Sequence, residues 1–413
     1  MSDIGVSTLV AGMFLTGCAN SLLTKYQDMQ CVENCDNPAT RVHFEQPVYQ
    51  TLNMFIGEFL CVIPLLWNWF TTARKGRASY LDRLLKRQQV SYGAIQQEEE
   101  EEEEEEDMNH VPMRGWAVCW MWFPAFFDIC GTTLMNVGLI LTPVSIYQMS
   151  RGALVLWVGV LSVIFLRRHL YLYQWASLLI VTLGVMLVGL AGTLIERHEF
   201  SSNPGVTDVV NALVRIATRA DGDPAKVVLG VSLILFAQIF TASQYVVEEK
   251  IMAHYTIDPL AAVTLEGMWG GLTTLAAMPV LHAMFSTKSM YFDVPRGWRQ
   301  ITQNPPVMYL ALLIALSIGA FNFFGLSVTT RVSATTRSTI DTCRTLGIWI
   351  VSLAIGWESL HWRRPYSLLQ VTGFGMLVYG TFVFNGLLEP FFFRPETIRL
   401  PEEDGVPNIT EDR

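Results

Sequence analysis

LLIVTLGVMLVGL, residues 178–190, and VMYLALLIALSIGA, residues 307–320, decide the fold, because neither contains a charged side chain. A helix needs about 20 mostly apolar residues to cross the hydrocarbon core of a bilayer, and both stretches sit inside runs of that length. Working outward, ten such runs occur, near 5–24, 48–70, 116–141, 143–166, 172–192, 228–247, 260–285, 307–328, 336–360 and 367–387. The first is interrupted by Asn20 and the ninth by Arg337, Asp341 and Arg344. The runs are apolar blocks with small residues rather than alternating ones, which argues against a membrane β-barrel. The expectation is an all-α polytopic membrane protein with ten transmembrane helices.

Composition agrees. Of 413 residues, 51% are hydrophobic and 16% charged, with mean hydropathy +0.33, where a soluble domain carries about 25% charged residues. The net charge of −9 is local. Glu98–Glu106 and Asp107 form one acidic run, and the rest of the chain sums to about +1. The start, MSDIGV, lacks the basic n-region of a signal peptide, so the first run is expected to stay attached.

Lys and Arg in short loops mark the cytosolic side. Arg74, Lys75, Arg77, Arg83, Lys86 and Arg87 follow the second run, and Arg167 and Arg168 close the fourth. This places both termini in the cytosol. Arg363 and Arg364, and Arg197, Arg215 and Arg219 in loop 193–227, run against the rule. Residues 71–115, basic and then acidic, read as a solvated linker kept open by like-charge repulsion. Tyr92-Gly93-Ala94-Ile95 within it fits a sorting-signal pattern common by chance. Asn408-Ile409-Thr410 forms a sequon, which the cytosolic placement leaves unglycosylated.

Five cysteines (Cys18, Cys61, Cys119, Cys130, Cys343) lie in the apolar runs as small fillers. Cys31 and Cys35 share the first outer loop, where a disulfide is open but not compelled. The seven histidines have no metal-ligand spacing. No nucleophile–base arrangement, phosphate-binding glycine loop or nucleic-acid footprint is visible. An enzyme, a cofactor and a nucleic-acid partner are therefore not expected. The partners expected are the lipid bilayer and a small-molecule solute. The small-residue faces of spans five and ten (Gly184, Gly189, Gly375, Gly380) serve either a homodimer or packing within one chain.

The chain contains a duplication. GVMLVGLAG (184–192) matches GMLVYGTFV (375–383). Glu58 pairs with Glu266, Asp128 with Asn322 and Arg151 with Arg344, at offsets of 208, 194 and 193 residues. Five spans per repeat is odd, so the second half inserts inverted, as in many secondary transporters. The boundaries expected are 1–192 for the first repeat, 193–227 for a connecting loop, 228–387 for the second repeat and 388–413 for a cytosolic tail.

Charges within the spans are the functional signal, since each costs about 2.5–3.5 kcal/mol at the bilayer centre on insertion scales. Arg337, Asp341 and Arg344 share one helix face, as do Gln148 and Arg151. Asp341 pairs either with Arg337 or with Arg344 along its own helix. Gln148, Arg151, Asn322 and Arg344 are the candidate solute-binding residues. Glu58, Asp128, Glu266 and Asp341 are candidate proton or cation sites that balance the arginines; the structural alternative makes Glu58 and Glu266 helix-packing hydrogen-bonders held protonated by burial, and has Asp128 hold Arg151 across the bundle. Thr142-Pro143 is the candidate hinge.

Spans two to four (MFIGEF, then FFDICGTTLMNVGLILTPVSIYQMSRGA) and six to nine (QYVVEEK, TLEG, FNFFGLSVTTRVSATTRSTIDTCRT) resemble the drug/metabolite transporter superfamily (EamA-like). More narrowly, they resemble solute carrier family 35, F branch, sixth-member type. The insert 71–115 and the tail do not match. The resemblance implies two inverted five-helix repeats around a cavity between spans one to four and six to nine. It also implies carriage of nucleotide sugars or other small organic solutes, in lysosomal or Golgi-type endomembranes or in mitochondria. The expected function is secondary transport of a small anionic solute by alternating access. The alternative is a membrane scaffold acting through the 71–115 loop.

Overall fold

The computed structural model of this chain describes residues 5–36, 41–44, 46–71, 111–113, 115–141, 152–198, 224–286, 292–356 and 365–389. The order is α1 (Val6–Asp28), the short strands β1 (Cys31–Glu33) and β2 (Val42–His43), then α2 (Pro47–Phe59). The helix resumes after a break at Leu60-Cys61 and reaches Thr71. β3 (Val111–Pro112) and a 3₁₀ stretch at Gly115–Met121 lead into α3 (Trp122–Leu141), followed by α4 (Ala153–Phe165) and α5 (Leu172–His198). The second part holds α6 (Pro224–His254), β4 (Tyr255–Thr256), α7 (Pro259–Phe285), α8 (Val294–Gln303), α9 (Pro305–Arg331), α10 (Ala334–Ile355) and α11 (Pro365–Phe384).

Among the described residues, seven helical segments are long and apolar enough to cross a membrane. Ala153–Phe165 and Leu368–Phe384 are apolar but shorter. α10 has the length but carries Arg337, Asp341 and Arg344. The protein is a mostly helical, polytopic membrane protein.

Several sequence boundaries move: α5 runs on to His198 and α6 begins at Pro224, both inside the expected 193–227 loop. α8 lies in a stretch where no helix was expected; Asp293 starts it by accepting from the Arg296 N–H, with Pro295 in its first turn. The sixth span, expected to stop at 247, continues through Glu248-Glu249-Lys250 to His254. Charged residues signal a helix end only when they face water, and here Glu248 and Glu249 are buried against arginines. Elsewhere the termini follow local chemistry. Asp258 caps α7 by accepting from the Leu260 N–H, with Pro259 in the first turn. Ser333 caps α10 by accepting from the Thr336 N–H, and Gly356 ends it with φ of +82°.

The surface is apolar where a soluble protein would be polar. Leu272, Leu275 and Met284 stand exposed on α7, and Tyr309, Leu312, Leu313 and Leu316 on α9. Exposed Leu at helical spacing over whole helices fits lipid contact. Trp67 and Trp116 are 74% and 90% exposed where the helix ending at Thr71 stops and α3 approaches, the location of an interfacial aromatic belt.

Helices pack as α1 on α9, α3 on α6, α2 on α7 and on α9, α7 on α3, α1 on α10, α4 on α6, α4 on α10 and α5 on α11. The α5–α11 contact is backbone-close. A Cβ on Gly184 would lie 2.7 Å from the Gly373 carbonyl oxygen, and one on Gly380 would lie 2.9 Å from the Ser177 oxygen. These small-residue faces therefore meet within one chain, whereas Gly375 has nothing within 4 Å.

Contacts between loops sort the two ends of the bundle. At one end β3 pairs with β4, and Arg168 after α4 forms an ion pair with Glu249 near the end of α6. Glu249 also accepts from the Ala334 N–H at the start of α10, at 2.9 Å. At the other end the loop after α1 is closed by a Cys31–Cys35 disulfide, the pairing that the sequence left open. Glu33 in that loop accepts two parallel bonds from Arg296 of α8, at 2.9 and 2.6 Å, and a third from Gln300 at 2.7 Å. The bidentate guanidinium holds the Glu33 carboxyl below the usual carboxylate range.

Two outcomes are expected. Gly184→Val overpacks the α5–α11 contact and lowers stability by about 1–3 kcal/mol, read as a lower Tm in detergent, while Gly375→Val leaves Tm unchanged. For the Glu33 brace, a carboxyl whose folded pKa is depressed stabilises above its unfolded pKa and loses that contribution as pH falls through the folded one. The Tm difference between wild type and Glu33→Gln is therefore largest at neutral pH and vanishes in acid below the ordinary carboxylate range.

Candidate functional site

The centre of the bundle is built from α2, α3, α6, α7, α9 and α10. Arg337, in the first turn of α10, is 2% exposed and forms an ion pair with Glu248 of α6, which is 1% exposed. Its guanidinium carbon stands 4.1 Å above the ring of Tyr245, one turn earlier on α6, a cation–π contact. Glu58 of α2 is buried and its Oε1 accepts from the Asn322 side-chain amide of α9 at 2.5 Å. Glu266 of α7 is buried and accepts from Gln244 of α6 at 3.0 Å. Asp128 of α3 completes the group. Electrostatically, Glu58 faces Asp128, Glu248 and Arg337, while Glu266 faces Glu248, Glu58, Asp128 and Arg337.

The start of α10 reads ATTRSTIDT and is buried throughout. Such a polar helix is tolerated because its hydroxyls bond back to its own turns. Ser338 donates to the Thr335 carbonyl, Thr339 to that of Thr336, and Thr342 to that of Ser338, each at 2.8 Å. One turn further, Asp341 meets Arg344 at 3.0 Å, and the Arg344 guanidinium lies 5.0 Å from the Phe321 ring centroid.

Of the residues expected to bind solute, Arg344 and Asn322 reach the central region, each already holding a carboxyl group. Gln148 and Arg151 lie outside the described residues, as does the Thr142-Pro143 hinge. The four candidate charge-balancing residues, Glu58, Asp128, Glu266 and Asp341, are all described. The first three gather around Arg337, and Asp341 takes Arg344. Of the two pairings weighed for Asp341, its ion pair is with Arg344, while Arg337 leaves its own helix for Glu248.

The sequence reading missed Glu248, Gln244 and Tyr245, and did not place Arg337 in the site. Their signal was spacing: Gln244 and Tyr245 stand four and three residues before Glu248, on one helix face. A sixth span ending at 247 leaves Glu248 outside it and hides that face.

The cluster divides by access. Glu58, Glu248, Glu266 and Arg337 are sealed, whereas Asp128 and Asn322 are partly accessible and the Arg344 side chain is 12% exposed.

Removing one partner of a buried ion pair typically destabilises by about 3–5 kcal/mol, because the other charge is left uncompensated. Arg337→Met is therefore expected to lower yield and Tm sharply. Arg337→Met combined with Glu248→Leu recovers most of the loss, measured by thermal denaturation in detergent.

The chain matches the model of the UAA transporter family over residues 84–387. It is 33% identical over 381 residues to an uncharacterized protein of Schizosaccharomyces pombe, covering 91% of this chain and 96% of that one. It is 32% identical over 391 residues to solute carrier family 35 member F6 of Homo sapiens, covering 92% and 89%. To the Mus musculus protein of the same name it is 32% identical over 400 residues, covering 95% and 92%. A solved crystal structure aligns with TM-score 0.51 at 10% identity, over 92% of this chain and 98% of that chain, a likeness of fold alone. Family match and relatives agree with the apolar helices: this chain belongs to the UAA transporter family, a family of membrane-embedded solute transporters and not of enzymes.

Proposed function

We propose that the chain is a secondary carrier of a small anionic organic solute, nucleotide-sugar-like in character, and works by alternating access. The observation that carries this reading is an exchange symmetry in the packing. Set α1 to α5 against α6, α7, α9, α10 and α11, in that order. The contact of α1 with α9 then maps onto that of α6 with α3, α2 with α9 onto α7 with α3, and α1 with α10 onto α6 with α4. The contacts α2–α7, α4–α10 and α5–α11 map onto themselves. This favours ten spans in two inverted five-helix repeats, 1–192 and 228–387, with 193–227 joining them and 388–413 as a tail. Two such halves can rock about a shared centre and expose it to one side and then the other.

Arg344 and Arg151 attract the solute's anionic group, and Asn322 and Gln148 hydrogen-bond it. Arg344 releases Asp341 when it takes the solute, so an empty carrier is charge-balanced. Glu58, Asp128, Glu266 and Asp341 serve as proton or cation sites. The Glu33–Arg296 brace and the Arg168–Glu249 link lie at opposite ends of the bundle and open in turn. The basic residues near Arg168 favour a cytosolic position for that end; the disulfide-closed loop suits an oxidising lumen. An endomembrane of lysosomal or Golgi type fits both.

The test is transport in proteoliposomes, with the solute first identified by a thermal-shift screen against nucleotide sugars, nucleotides, amino acids and cationic drugs. A ligand at 100 times its Kd stabilises by about 2.7 kcal/mol. Arg151→Ala and Arg344→Ala are expected to insert normally, lose the shift and lose transport. Wild-type rates in both variants would overturn the assignment of the binding site. Activity lost on deleting 71–110 but kept in both arginine variants would favour a scaffold.

A further inference from the structure

The central cluster carries more acid than base. Among the described residues, Glu58, Asp128, Glu248 and Glu266 share one guanidinium, that of Arg337, while Asp341 and Arg344 balance each other. Four carboxylates so close together in a medium of low dielectric cannot all stay ionised beside a single cation. A second, independent observation points the same way. Glu58 Oε2 is buried and has no hydrogen-bond partner, which a bare carboxylate oxygen does not tolerate inside a protein.

The position matters as much as the count. α2 and α7 cross at Glu58 and Gly267, where a Cβ on Gly267 would fall 2.6 Å from the Glu58 Cβ. This crossing places the residue beside Glu266 against Glu58, and it maps onto itself under the exchange of halves. Groups near that axis belong equally to either open state. Among the described residues no set of His, Cys, Asp or Glu has metal-holding geometry. Glu58 and Glu266 are too deeply buried for an organic cation to lie beside them. A proton needs no volume.

We propose that Glu58 and Glu266 form a proton-binding site at the α2–α7 crossing, with Glu248 as the fixed counter-charge of Arg337. This rests on the carrier reading above and specifies its coupling ion. From α3 the site is faced by Asp128, from α6 by Glu248 and Gln244, from α9 by Asn322, from α10 by Arg337, and from its own helix by Cys61. Two protons, one on each glutamate, leave Asp128 as the single excess carboxylate among the described residues, less buried than either glutamate. Opening either end hydrates the crossing, ionises the pair and releases the protons to that side.

The experiment is infrared spectroscopy of the purified full chain in lipid, following the carbonyl stretch of protonated carboxyl groups from acid to alkaline buffer. Wild type is expected to keep buried carboxyl bands at neutral pH and lose them in alkali. Glu58→Gln and Glu266→Gln each remove one band. Glu58→Asp shifts its band and keeps the carboxyl group, which guards against a glutamine variant that fails to fold. Absence of such bands at neutral pH in wild type, or bands unchanged by all three substitutions, overturns the proposal. The readout involves no solute, so failure of the carrier reading appears separately, as absent flux with the bands intact.

Discussion

The ion pair between Arg337 and Glu248 is the constraint on which the centre of this protein depends. Both side chains are out of reach of water, and each would be untenable alone. Their pairing lets α10 lie in the interior despite a first half too polar to cross a bilayer unaided. It also requires α6 to continue past the point where its apolar sequence ends. Glu249, the next residue, completes the junction by taking the Ala334 N–H and Arg168. Space for the guanidinium comes from α9: a Cβ on Gly325 would stand 2.9 Å from the Arg337 Nε.

Around that junction the helices are held by close fit. Between helices in lipid the hydrophobic effect offers little, and small residues let backbones approach so that dispersion and weak polar contacts act. The contact of α5 with α11 through Gly184, Gly373 and Gly380 is of this kind, as is the contact of α2 with α9, where a Cβ on Gly57 would press on Ala315. Such smooth contacts resist separation more than sliding. Strong directional bonds are placed at the centre and at the two ends, as the Glu33–Arg296 brace and the Arg168–Glu249 link show.

The membrane helices were legible because twenty apolar residues in a row have few other fates, and seven of the expected runs are helices long and apolar enough to span among the described residues. The candidate charges were legible because an intramembrane Glu or Arg is costly enough to need a reason. Legibility failed where a local rule was applied beyond its range. Glu248-Glu249-Lys250 reads as a helix end if its charges are assumed to face water; the partner that buries Glu248 is 89 residues away. α8 was missed for the opposite reason, since it is a short polar helix whose partners, Glu33 and Gln46, lie in the loop between α1 and α2. In both cases the missing information was a long-range polar contact.

The two arginines of α10 illustrate why burial and pairing must be read together. Both lie on one helix, seven residues apart, and both meet a carboxylate. Arg337 takes its partner from another helix, so breaking that pair unlinks α6 from α10 and strands a buried charge on each. Arg344 takes Asp341 from its own helix, three residues away, so the pair can part without disconnecting any two elements. Arg344 is also the more accessible of the two. On the carrier reading proposed above, an anion that competes with Asp341 for Arg344 exchanges one local contact for another and leaves the frame intact. The same competition at Arg337 would dismantle the centre. Equal charge on one helix thus divides into a cation paired across helices and one paired within its own helix.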